Sequence, residues 1–81
     1  LEEIELAVQQ LAQDKTGALI IIEREIGLRS FVESGVLLDA QISRDLLLSI
    51  FEKGAAMHDG AVIIQGDRVA AAACFLPLTM N

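Results

Sequence analysis

A layered α/β domain, a mixed sheet flanked by helices, follows from three features of this 81-residue sequence. An apolar stripe at three- and four-residue spacings runs through the first fifteen positions. A continuous β-branched run, Ala18-Leu19-Ile20-Ile21-Ile22, comes next, too short for a stable helix. Later, a helical pattern from Ser43 leads into two apolar runs joined by Gly66-Asp67. Helix, strand, helix and hairpin in that order fit one layered arrangement.

In the first helix Leu1, Ile4, Ala7, Val8, Leu11 and Ala12 form the apolar face, and Glu2, Glu3 and Glu5 sit where the helix dipole favours negative charge. That face packs on a sheet or serves a partner. Gly17, just past Lys15, fits a C-cap. Ala18–Glu23 then reads as a central strand buried on both faces. Glu23 closes it, either as a solvated charge or as a catalytic carboxylate.

Residues 26–40 read as a loop-rich connection broken by Gly27 and Gly35, with a short strand around Arg29–Val32. Ser43 is a good N-cap, and Leu46, Leu47, Ile50 and Phe51 follow at helical spacing until Gly54. This helix should end about three residues before Met57-His58-Asp59-Gly60. Ala61–Gln65 forms the next strand, Gly66-Asp67 the hairpin turn, and Arg68–Cys74 the return strand, stopped by Pro77. The alanines of the return strand have poor β propensity and imply close packing. Three strands make a narrow sheet, so the chain is expected to be a portion of a larger domain.

Composition bounds the function. With 53% hydrophobic and 22% charged residues the chain is globular rather than disordered. Twelve acidic side chains against six basic ones, net −6, argue against nucleic-acid binding. A nucleotide stays possible, because a divalent cation and backbone N–H groups can hold a triphosphate. One Cys and one His fall short of a structural zinc set and allow no internal disulfide. No run reaches the roughly 18–20 apolar residues of a membrane span, so a membrane link is expected only through a segment outside this chain.

Chemistry concentrates at His58-Asp59-Gly60, where a carboxylate stands at the mouth of an apolar strand. It can hold a metal or accept a proton, and the same Asp-Gly step is also how an ordinary turn looks. His58, the one histidine, is either a second metal ligand or proton carrier, or a residue that orients the loop. Phe75 is either a core aromatic or a stacking face, and Cys74 reads as an inert buried thiol.

Taken with Gly17-Ala18-Leu19-Ile20-Ile21-Ile22-Glu23 upstream and Ala70-Ala71-Ala72-Ala73-Cys74-Phe75-Leu76-Pro77-Leu78 downstream, Asp59-Gly60-Ala61 resembles the catalytic domain of the bacterial diadenylate cyclases over nearly the whole chain. The resemblance implies two subunits face to face, each holding one ATP, that yield cyclic di-AMP and two pyrophosphates. It implies Asp59 as the catalytic, metal-binding aspartate and Mg²⁺ or Mn²⁺ as the metal, beside which His58 keeps the alternatives already given. Gly60, Ala61, Phe75 and Leu76 match nucleotide-side positions. Many relatives have Tyr where this chain has Phe75, which keeps the stacking face and drops a hydroxyl. Gly35 lies in a matching segment, either near the nucleotide or simply in a turn.

The resemblance also implies a location in the cytoplasm or on the cytoplasmic face of a membrane. The family's second motif, Arg-His-Arg after Gly-Thr, is not among these 81 residues, so residues 1–81 are expected to be a partial domain, inactive alone. The rival readings are a nucleotide-sensing or interaction module that kept the fold without turnover, and a plain structural domain.

Overall fold

The computed structural model describes residues 2–24 and 28–75. Helix α1 spans Glu2–Gln13, strand β1 Ile20–Glu23, helix α2 Arg29–Ser34 and strand β2 Val36–Gln41. Helix α3 spans Arg44–Phe51, and strands β3 and β4 span Ala61–Gln65 and Arg68–Cys74. The four strands form one mixed sheet in the order β1-β3-β4-β2, with β1 parallel to β3 and the other pairs antiparallel. Helices cover both faces, as the layered reading requires.

Helix α1 buries Ile4, Ala7 and Leu11, the inner part of the expected stripe, and leaves Val8 and Ala12 exposed. Leu1 lies outside the described residues. The cap at its end sits two residues earlier than Gly17. Lys15 adopts the left-handed conformation at φ 56°, its N–H reaches Ala12 O, and the Thr16 N–H reaches Leu11 O at 2.9 Å. That bonding pattern is a Schellman motif with a lysine where glycine is usual. At the other end, the Glu3 carboxylate accepts from the Arg44 N–H at 2.8 Å, placing negative charge at the start of α3. Ser43 caps the same helix by accepting from the Leu46 N–H at 3.0 Å. Helix α3 ends at Phe51, and Gly54, at φ +92°, belongs to the turn that follows.

Two expectations are corrected. Strand β1 is an edge strand among the described residues, not a central one, since it pairs only with β3. Nor is its apolar run buried on both faces: Ile20 and Ile21 are half-buried, one against each core cluster, while Leu19 and Ile22 are exposed. The connection expected to be loop-rich contains α2 and β2, and Arg29–Val32 is helical. Phe31 and Val32 pack under the sheet from this six-residue helix, too short for its period to stand out. Gly27 lies outside the described residues, as does Pro77.

Strand β4 is bulged twice. Its register against β3 runs Arg68↔Gln65, Val69↔Ile64, Ala71↔Ile63 and Cys74↔Ala61, so β4 carries an extra residue in two stretches. Each bulge resets the side-chain alternation. Val69 and Ala72 therefore face the α1/α3 core, while Ala71 and Cys74 face the α2 side. Ala73, at φ 57°, marks the second bulge. The Gly66-Asp67 turn stands as expected, with positive φ at Gly66, the first central position, in the II′ pattern.

Candidate functional site

Because β3 and β4 are antiparallel neighbours paired at Ala61 and Cys74, the residues before one and after the other meet at the same end of the sheet. Asp59-Gly60 and Phe75 are brought together there from positions sixteen residues apart in the sequence. The parallel strand β1 begins at that end too, where Leu19 O accepts the Val62 N–H at 2.9 Å.

Gly60 determines how closely the two segments approach. It sits at φ +97°, and a Cβ there would lie 2.8 Å from Ala73 C and from Cys74 O. Only glycine fits that backbone and that distance. Among the described residues, the room left by the missing side chain is filled by the bulged end of β4. Ala61 is buried, with its side chain in the α2-side core beside Ile63, Ala71 and Cys74.

Asp59 and His58 are both exposed. The His58 ring is held: its Nδ1 lies 2.7 Å from Ala55 O, and a carbonyl can only accept, so in the neutral ring the proton is on Nδ1. Nε2 keeps its lone pair and faces outward from that bond. Asp59, His58 and Gly60 form one wall of an open cleft of about 760 Å³. Lys15 and Asp14 from the end of α1, and Lys53 after α3, also line it. These cleft-lining lysines carried no motif in the sequence; only the fold, which brings the ends of α1 and α3 together, reveals them.

Among the described residues, no three His, Cys, Asp or Glu side chains converge into a metal cage. Mg²⁺ does not need one, since it is held by one or two carboxylates together with substrate phosphates and waters. An exposed Asp59 in a cleft that also holds two lysines suits such sharing.

Phe75 is not among the residues lining that cleft, and 58% of it is exposed. Among the described residues it belongs to neither core cluster. Its backbone N–H donates to Ser34 Oγ at 3.2 Å, a partner that sequence reading missed because α2 was not foreseen. Gly35 packs where a Cβ would come no farther than 3.0 Å from Ala72 O, Cys74 Sγ and Cys74 N, so its place is against β4. Leu76, the remaining nucleotide-side candidate, lies outside the described residues. Burial pushes the Cys74 thiol above its ordinary value, partly offset by hydrogen bonding from Ser34 and Gly35.

A family model described as DisA bacterial checkpoint controller nucleotide-binding matches residues 5–81. The chain is 43% identical over 79 residues to the cyclic di-AMP synthase CdaA of Bacillus subtilis, covering 98% of this chain and 29% of that protein. It is 44% identical to a diadenylate cyclase of Listeria monocytogenes, with the same coverage. It therefore spans under a third of the length of these relatives. The crystal structure of DacA from Staphylococcus aureus superposes with a TM-score of 0.92 at 44% identity, over 99% of this chain and 53% of that one. A hypothetical membrane spanning protein from Bacillus cereus gives a TM-score of 0.89 at 40% identity, over 99% of this chain and 39% of that one. No helix among the described residues is long and apolar enough to cross a membrane. Matched over nearly all its residues in sequence and in fold, the chain belongs to the diadenylate cyclase family of nucleotide-binding domains.

Proposed function

We propose that the protein carrying this chain condenses two ATP molecules into cyclic di-AMP, with residues 1–81 forming part of its catalytic domain. The observation that carries the reading is the single sheet end at which the exposed Asp59, just before β3, and the exposed Phe75, just after β4, both emerge. Membership of the family supplies the reaction; this arrangement supplies a carboxylate and an aromatic face for it.

In each half-reaction a 3′-oxygen forms a bond to the α-phosphorus of the other ATP. The bond from that phosphorus to the bridging oxygen breaks, and pyrophosphate leaves with the electron pair. The 3′-hydroxyl proton goes to Asp59 or through it to solvent. Asp59 would hold Mg²⁺ or Mn²⁺ together with the phosphates, with His58 Nε2 as the possible second ligand. When bound, that ion lowers the pKa of the hydroxyl and screens the developing charge. Lys15 and Lys53 are placed to offset phosphate charge in the cleft. Phe75 stacks on adenine, with the Gly60 backbone beside the nucleotide and the buried Ala61 side chain anchoring that backbone from the core.

A symmetric product made twice by the same step calls for two facing copies of the site. The whole protein works in the cytoplasm or at the cytoplasmic face of a membrane.

The test is to incubate the full-length protein with ATP and Mn²⁺ and detect the cyclic dinucleotide. Asp59→Asn keeps the shape and loses the charge, and should cost about two decades or more in turnover with the melting temperature unchanged. ATP binding without any product in the wild type would instead identify a sensor.

A further inference from the structure

We propose that Ser34 is a positioning residue for the base side of the nucleotide site, aiming Phe75 through its backbone; the inference rests on the reading that Phe75 meets adenine. Phe75 is a large apolar side chain that stays 58% exposed. Core packing therefore does little to fix where it points, and its direction depends on what holds the chain as it leaves β4.

Two contacts hold it, one from each side. Gly60 lies against Ala73 and Cys74. Opposite, Ser34 at the end of α2 accepts the Phe75 N–H at 3.2 Å, across 41 residues of sequence, and donates its own proton to Phe31 O at 2.6 Å. The Phe31 carbonyl can only accept, so the hydroxyl is the donor at that contact and its oxygen keeps lone pairs for the Phe75 N–H. Gly35, with no room for a Cβ against Ala72 and Cys74, lets the end of α2 come close enough for this bond to form. The bulge at Ala73, φ 57°, turns the strand out of its regular alternation just before Phe75. A bulged exit has lost its ladder pairing, and the serine supplies a replacement partner for the N–H.

The experiment measures binding of ATP and of inorganic tripolyphosphate to the full-length protein by calorimetry. Ser34→Ala should weaken ATP about three- to tenfold, the scale of one hydrogen bond, and leave tripolyphosphate unchanged, because only the base contact is misaimed. Ser34→Thr, which keeps the hydroxyl, should restore ATP affinity. In a Phe75→Ala background the Ser34→Ala loss should vanish, since the residue acts through that ring. Should Ser34→Ala fail to fold, Ser34→Cys, with a weaker acceptor of similar size, is expected to show the same ATP-selective loss. ATP binding as tight in the variant as in the wild type overturns the inference and leaves the cyclase reading standing. Parallel loss of ATP and tripolyphosphate overturns it as well, by showing a general structural effect. A wild type that binds no ATP overturns both.

Discussion

The two faces of the sheet are built from different materials. On one, α1 and α3 set Ile4, Ala7, Leu11, Leu47, Ile50 and Phe51 against Val62, Ile64, Val69 and Ala72, all buried. On the other, α2 has six residues, none of them buried, and meets Ala61, Ile63, Ala71 and Cys74 with only partly buried Leu28, Phe31 and Val32. Large side chains on the first face offer apolar area. Small ones on the second let backbones approach, with Gly35 and Gly60 pressed onto the same end of β4. The difference separates two tasks: the thick face stabilises the fold, and the thin face shapes the strand end from which Phe75 emerges.

Truncation on each face should separate the two most widely. Phe51 is 1% exposed, so Phe51→Ala should cost about 3–5 kcal/mol of stability, read as a urea midpoint. Phe31→Ala, on the thin face and only partly buried, should cost roughly 1–2 kcal/mol, since less area leaves water-free surroundings. Equal losses would break the comparison by showing that α2 carries as much of the core as α3.

A smaller effect is expected at the contact between Gly60 and β4. Gly60→Ala would force a side chain into φ +97° and within 3.0 Å of Ala73. The cost should be of order 1–3 kcal/mol, from backbone strain and overpacking. Unlike the Phe51 truncation, it should also weaken ATP binding at temperatures where the variant is fully folded, because it displaces the exit of β4. A Gly60→Ala protein with lowered stability and unchanged ATP affinity would confine that glycine to folding.

The same division explains what could be read from the sequence. The thick face was legible because its apolar residues recur at helical spacing: Ile4, Ala7 and Leu11, then Leu47, Ile50 and Phe51 behind the Ser43 cap. The thin face was not, since a six-residue helix shows too little period and Ala70–Ala73 carries no face information once two bulges reset the alternation. Strand β2 was hidden for a similar reason. Asp39 interrupts its apolar residues, occupying a bulge at φ 49° where Arg68 binds both its carboxylate and its carbonyl. At the site, Asp59 and Gly60 were legible as a motif. Ser34, Lys15 and Lys53 needed the fold, because chain crossings rather than local pattern bring them to that end of the sheet.

The smallest expected effect asks how dry the thin face is. Cys74 is 2% exposed, and burial raises its thiol above the ordinary 9.0. A thiol is neutral when protonated, so burial favours the protonated form in the folded chain, while the unfolded chain gives up its proton near the ordinary value. Above that pH the unfolded state binds fewer protons, and stability falls. The contribution is fully present below 9.0 and is lost as pH rises through the folded value. With no Tyr in the chain, few other groups titrate in that window. Urea midpoints of the wild type and Cys74→Ala should therefore differ by a constant packing loss up to about pH 8, and the gap should narrow towards pH 10. A gap that stays constant to pH 10 would mean that water reaches the thiol and that the thin face is open beneath α2.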